Sequence, residues 1–297
     1  MASAEITKFT FTAGDGVQIA AWRASPAAKA KAVVQVAHGM AEHADRYRRL
    51  ATALTAAGYG VYANDHRGHG GSAEIHGLGS FGPGGFQGLI DDMAALTRVA
   101  KRECPGAPLV LLGHSMGSFA AQLYLLEHHG ELAALALCGT AAMDRLLDSM
   151  IAAGGPAGPD RLNAAFEPAR TSHDWLTRDE AEVDAYLADP LCGFALEEAA
   201  MASMFALGRN ARQDERLKAV RHDLPILVIS GQFDPVTGPA QAFTGALIES
   251  WREAGLTGID HRVYPGGRHE LFNEINRDDV EADFVAWLDG ALSRSVT

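Results

Sequence analysis

A chain of 297 residues with 47% hydrophobic and 21% charged residues has the apolar content for a substantial buried core, and shows none of the bias of disordered, collagenous or disulfide-scaffold sequences. Its 25 Lys and Arg against 37 Asp and Glu give a formal net charge of -12 with no basic cluster, which excludes a nucleic-acid backbone as partner. Cys104, Cys138 and Cys192 are too few and too irregularly spaced for a metal cage or a disulfide framework, and they fit a reducing cytoplasm.

Residues 1–11 hold no basic segment followed by an apolar one, so no secretory leader is expected, and the longest apolar runs, 109–112 and 133–138, fall far short of a membrane span. Residues 7–11 and 17–23 flank Ala13-Gly14-Asp15-Gly16 and read as an opening hairpin. A buried strand follows at 32–37. Tyr47, Leu50, Ala51 and Leu54 then keep helical spacing up to Gly58, a C-cap, and 59–63 is the next strand. Phe86, Leu89, Ile90, Met93 and Leu96 mark another helical face. The apolar run 109–112 leads straight into Gly113-His114-Ser115-Met116-Gly117, followed by a helix to about Glu127 and a strand at 133–139.

The strand rhythm then stops. Met143, Leu146, Leu147, Met150 and Ile151 follow the spacing of an amphipathic helix until Gly154-Gly155-Pro156 and Gly158-Pro159 break it, and Leu196 opens a further helix-like apolar run to Gly208. Eighty residues of helix and turn are too many for a loop. Strands resume at 225–231 and 259–264, and a helix at 279–292 closes the chain. Alternating strands and helices predict an α/β fold, a mainly parallel sheet flanked by helices. Residues 1–141 and 222–297 form its core domain, with 142–221 inserted as a helical cap.

Gly-x-Ser-x-Gly between a buried strand and a helix is the context of a nucleophile elbow, a turn tight enough to exclude side chains beside Ser115 while presenting its hydroxyl at the edge of the sheet. A serine hydroxyl is a weak nucleophile, so it needs a base, and the base needs a group to fix its tautomer. Asp234 and His269 each follow the carboxyl end of a later predicted strand, in the order Ser, Asp, His. His38, His66 and His69 lie in Gly-rich loops and read as loop packing; Glu42 and His43 read as lining an entrance, and Arg67 beside Asp65 as fixing its loop. No His-x-x-x-His or paired Cys pattern is present, so neither metal nor cofactor is expected.

With these residues in hand, the chain resembles the α/β-hydrolase superfamily, in its capped monoacylglycerol lipase, lysophospholipase and serine-aminopeptidase-like branch. The resemblance rests on His38-Gly39-Met40-Ala41-Glu42-His43, on the run from Asp65 to Ser72, on the segment around Ser115, on Gly231-Gln232-Phe233-Asp234-Pro235-Val236 and on Gly266-Gly267-Arg268-His269-Glu270-Leu271. The stretch from Asp174 to Cys192 looks like bacterial members described as lysophospholipases, and Ala41 stands where the branch often has Gly. The resemblance implies a serine esterase with Ser115, His269 and Asp234 as triad and the backbone N–H groups of Met40 and Met116 as oxyanion hole. It implies monoacylglycerol, lysophospholipid or related acyl esters as substrates, and it allows a transient membrane-surface contact through the cap. An aminopeptidase using Asp179, Glu180 or Glu182 to receive an ammonium is the closer rival, and a non-catalytic receptor the more distant one. Met201, Met204 and Phe205 read either as cap packing or as an acyl-chain pocket.

Overall fold

The structure, a computed structural model, describes residues 4–155 and 158–294. Pro156, one of the expected helix breakers, and Met1, at the head of the opening segment, lie outside them.

Among the described residues, strands β1 (Ile6–Thr12), β2 (Gln18–Ala24), β3 (Val33–Ala37), β4 (Gly60–Asn64), β5 (Leu109–His114), β6 (Ala134–Cys138), β7 (Ile226–Gly231) and β8 (Ile259–Tyr264) build one sheet in the order β1-β2-β4-β3-β5-β6-β7-β8. The β1-β2 hairpin is antiparallel, as its Ala-Gly-Asp-Gly turn predicts, and joins the edge of β4 antiparallel; β4, β3, β5, β6, β7 and β8 run parallel. Parallel strands need both faces covered, which explains why β3, β5, β6 and β7 are apolar almost without interruption and buried at every position.

The two-residue strand period divides those side chains between two cores. Leu109 and Leu111 of β5, with Leu135 and Leu137 of β6, pack under helices α2 (Gly85–Glu103), α3 (Met116–His128) and α8 (Ala242–Glu253). Val110 and Leu112, with Ala134 and Ala136, face α1 (Arg48–Ala56) and α9 (Arg277–Arg294). Each buried Leu or Ile adds about 1.5–3 kcal/mol. The single polar residue of β3, Gln35, is buried only because it bonds the Met93 carbonyl oxygen (2.9 Å) and the Thr97 hydroxyl (2.8 Å) of α2.

From β3 the chain moves through α1 to β4 on one side and then returns to place β5 on the other. The carboxyl ends of β3 and β5 therefore border the point where the winding reverses, the crevice in which open α/β sheets bind ligands. Between β6 and β7 come α4 (Met143–Ala152), α5 (Pro159–Asn163), α6 (Glu180–Ala188) and α7 (Glu198–Gly208), with no strand among the described residues of this stretch. Helix α7 docks on the start of α2, where the Ser203 hydroxyl accepts from the Phe86 N–H (3.1 Å), and on α4, whose Met143 fills the space a side chain at Gly208 would need.

Candidate active site

At the end of β5, Ser115 takes φ 50 and ψ −121, a conformation in which an L residue is strained by about 1–3 kcal/mol. The two glycines of the motif serve packing rather than unusual dihedrals. A Cβ at Gly113 would lie 2.5 Å from the Gly117 carbonyl oxygen, and one at Gly117 would lie 2.2 Å from that of Ala37. The Ser115 N–H donates to the Cys138 carbonyl oxygen (2.9 Å), which ties the elbow to β6. Met116 is the first residue of α3, so its N–H precedes the helix's own hydrogen bonds and stands at the positive end of its dipole. Met40 follows β3 and lines the same cavity as Ser115.

Asp234 leaves β7 in an Asp-Pro turn and is held by the Val236 N–H, which donates to Oδ1 (2.9 Å). The same oxygen accepts from His269 Nδ1 at 2.9 Å, with both side chains buried; the other oxygen has no hydrogen-bond partner among the described residues. Sequence spacing brings these two residues only to neighbouring strand ends, and the structure brings them into contact. His269 is packed between the rings of His114 and Trp175, centroids 4.8 and 5.0 Å away, while its N–H and that of Glu270 donate to the carbonyl oxygens of Trp175 (3.3 Å) and Leu176 (2.7 Å). Gly139, at φ 60, must be glycine because a Cβ there would press to 2.9 Å on the imidazole.

Beneath these groups lies a buried ionic network. Glu42 Oε1 accepts from the Gly39 N–H (2.5 Å), the Tyr47 hydroxyl (2.8 Å) and His114 Nδ1 (3.2 Å), and Oε2 accepts from Arg46 (2.9 Å). Arg46 also grips Glu270 with two bonds (2.5 and 2.7 Å), and His114 Nε2 faces the His269 carbonyl oxygen at 3.4 Å. Burial alone would raise the Glu42 carboxyl, yet the hydrogen bond from His114 and the Arg46 charge hold it well below its ordinary range. Burial would likewise lower His114, but its bond to Glu42 and the surrounding carboxylates hold it above. The loops carrying Met40, Ser115 and His269 thus share one set of charges. Glu42→Gln, which keeps the shape but removes the charge, should lower kcat by about 10- to 100-fold with KM little changed, because small displacements of reacting groups cost that much; steady-state kinetics with a melting curve checks it.

Ser115 and His269 line one cavity of about 700 Å³ with Met40, Glu42 and Trp175. Its far walls are apolar: Phe119, Leu147, Met150, Met201, Met204 and Phe205. Met204 and Phe205 are also buried against the main core, so packing and cavity lining are the same job here. Of the carboxylates considered as ammonium receivers, none lines the cavity: Asp179 caps α6 and pairs with Arg277, Glu182 lies 3.9 Å from Arg277, and Glu180 is exposed. His38 Nε2 accepts from the His66 N–H (2.9 Å), and its Nδ1 donates to the Gly39 carbonyl oxygen (2.7 Å), a loop-packing role. Arg67 does fix its loop, but through Asp92 (2.8 and 2.9 Å) and Asp15 (2.9 Å) rather than Asp65. Ala41 accepts φ 54, the backbone region that explains the branch's frequent Gly there.

A family model described as Hydrolase_4, "Serine aminopeptidase, S33", matches residues 28–276. The monoacylglycerol lipase of Mycolicibacterium smegmatis is 32% identical over 97% of this chain and 99% of its own. The chain belongs to this family. The human monoglyceride lipase is 28% identical to this Hydrolase_4 member over 84% of its chain and 79% of the human one. Among solved structures, a thermostable carboxyl esterase from Bacillus coagulans, in complex with glycerol, superposes with a TM-score of 0.83 at 27% identity, covering 97% of this chain and 99% of the esterase. The sheet and its flanking helices are accordingly those of the α/β-hydrolase fold. Glu42, expected at an entrance, does line the cavity; what local sequence patterns did not reveal is Trp175, Gly139 and the links from Glu42 to His114 and from Arg46 to Glu270, which join distant segments.

Proposed function

We propose that this protein hydrolyses monoacylglycerols, lysophospholipids or related acyl esters through an acyl-enzyme on Ser115, with residues 142–221 as the cap that shapes the acyl site. The protein is a carboxylic ester hydrolase. The observation that carries the finer reading is the pairing of His269 with Asp234, with His269 and the elbow residue Ser115 both lining one cavity whose surface is mostly apolar. Ser115 Oγ attacks the ester carbonyl carbon as its proton passes to His269 Nε2, and Asp234 holds the imidazolium at Nδ1. The charge gathering on the carbonyl oxygen is met by the N–H groups of Met40 and Met116; one such donor is worth about 3 kcal/mol of barrier. Collapse returns the proton to the departing alkoxide, and a water repeats the sequence to release the acid.

The apolar far wall suits an acyl chain, and adaptable Met side chains suit chains of more than one shape. Exposed Ile151 on the cavity rim, with exposed Leu187, Leu191 and Leu207 on the same insertion, supports a transient contact of the cap with a lipid surface. Among the described residues no helix is long and apolar enough to cross a membrane. Three free cysteines accord with a cytoplasmic setting.

Aminopeptidase chemistry would need a free carboxylate to receive the substrate ammonium. Glu42 and Glu270 on the cavity wall are committed to Arg46, which leaves Glu198 at the start of α7. A monoacylglycerol and an amino-acid p-nitroanilide, compared in steady-state assays, separate the readings. The ester should be turned over with kcat/KM several orders of magnitude higher; a preference for the anilide would overturn the ester reading.

A further inference from the structure

Away from Ser115, Asp234 and His269, a second group of chemically capable side chains converges where the insertion meets the loop after β3. His43 belongs to that loop, and Asp189 and Cys192 to the stretch that follows α6. His43 Nε2 and Asp189 Oδ2 are 2.8 Å apart, and one donor atom from each of the three residues lies within 4.8 Å of the others. The turn is fixed locally: Asp189 Oδ1 accepts from the Leu191 N–H (2.8 Å), which leaves Oδ2 to His43, and the Cys192 N–H donates to the Asp189 carbonyl oxygen (3.0 Å). The Tyr186 hydroxyl and the Gly193 N–H both donate to the Ala41 carbonyl oxygen at 3.0 Å, which holds the two segments in register.

Imidazole, carboxylate and thiol are the donor set that zinc-class ions take, and a tetrahedral ion with bonds of about 2.0–2.3 Å places its ligands about 3.5 Å apart. From 2.8 Å the His43–Asp189 pair must open by about 0.7 Å, and from at most 4.8 Å Cys192 must close by up to about 1.3 Å. Around Cys192 the carboxylates of Glu42 and Glu270 are offset by the Arg46 guanidinium that pairs with both and sits over the Tyr186 ring, so the donor atoms themselves, Asp189 among them, carry the case for a cation.

We propose that His43, Asp189 and Cys192 form a binding site for a zinc-class divalent ion that joins the insertion to the loop carrying Met40. On binding, the Cys192 thiol releases its proton to solvent and ligates as thiolate. His43 gives up its bond to Asp189 and ligates through Nε2 with its proton on Nδ1, and water takes the fourth position. The site is separate from the ester chemistry, which needs no metal. Because the ion bridges segments that meet only in the folded chain, it stabilises the native state.

Titration of reduced protein with Co²⁺, read by absorbance, tests this directly. One equivalent should give a near-ultraviolet thiolate-to-cobalt charge-transfer band and the visible bands of a tetrahedral ion, displaced by Zn²⁺. Cys192→Ser should abolish the charge-transfer band and Cys104→Ser should keep it. Asp189→Asn and His43→Ala should weaken binding by at least the 10- to 100-fold, in order of magnitude, that losing an outer-shell partner costs. Zn²⁺ should raise the Tm of the wild type and not that of Cys192→Ser, whose metal-free Tm reports its fold. Absence of the band at millimolar Co²⁺, or an equal band or equal Tm rise in Cys192→Ser, overturns the proposal.

Discussion

Asp234→Asn should leave the fold intact and lower kcat for ester hydrolysis by about 10⁴, the loss a comparable triad shows when its ring is present in the wrong tautomer. The reason is local. Asp234 Oδ1 accepts from His269 Nδ1 at 2.9 Å inside the protein, so the ring keeps its lone pair at Nε2, where the proposed mechanism needs it for the Ser115 proton. An Asn amide offers an N–H to that ring nitrogen, and the ring answers by moving its own proton to Nε2, where no base is then left. His269→Ala should be at least as damaging. Turnover of an activated ester, with circular dichroism to verify folding, gives the answer. A loss of less than tenfold in either variant, or a complete loss in folded His38→Ala with His269→Ala still active, would mean that another residue is the base.

Stability should fall steeply between about pH 6.5 and pH 4, and the responsible groups lie away from the substrate. His38, His66 and His69 are fully buried, with rings 4.2 to 6.4 Å apart. Burial lowers all three, His38 to about 4 and His69 to about 3 from an ordinary 6.5; repulsion from His43 and His114 adds to this at His38, from His38 and His69 at His66, and from His38 at His69. Among the described residues both ring nitrogens of His66 lack a hydrogen-bond partner, so an added proton finds no acceptor there. A depressed native pKa means that the unfolded chain binds more protons within this window. The stabilisation is therefore complete above 6.5 and is lost as pH falls toward the native values, by up to about 1.4 kcal/mol per unit for each ring and about 3 kcal/mol for His38 alone. Glu42 and Glu270, both held low, lose stability in the same direction at lower pH. His114 has the opposite sign: held high, it contributes fully below 6.5 and loses its contribution as pH rises through its native value. Urea unfolding at pH 7 and pH 5 should differ by several kcal/mol; equal free energies at the two pH values would contradict this reading of the buried rings.

How far the sequence foretells these features depends on the range of the contacts involved. The apolar run of β5 followed by Gly-His-Ser-Met-Gly is a local signal, and the structure shows why the glycines flank the serine: carbonyl oxygens of the elbow and of β3 occupy the space of their missing side chains. The hairpin, β3 to β8 and the long helices α2 and α3 are likewise written in period and punctuation. Helix α8 is not among the predicted elements, although Leu247, Ile248 and Trp251 form its buried face. It starts after Ala240 and Gln241 in left-handed conformations and has no side-chain cap, so its opening resembles a turn. Arg67 shows the limit most plainly, since its neighbour in sequence is Asp65 and its partner in space is Asp92. Arg46 and Glu270 are 224 residues apart, and His43 and Asp189 are 146 apart. No local pattern encodes such pairs; they arise only when the sheet has brought its carboxyl ends together.

A fluorophosphonate probe followed by peptide mass spectrometry decides whether Ser115 is the nucleophile of this ester hydrolase. One covalent adduct per chain should form, on the peptide that contains Ser115, with monoacylglycerol turnover lost in step with labelling and both absent in a folded Ser115→Ala variant. Labelling that persists in Ser115→Ala, or turnover that survives complete modification of Ser115, would contradict that role for Ser115.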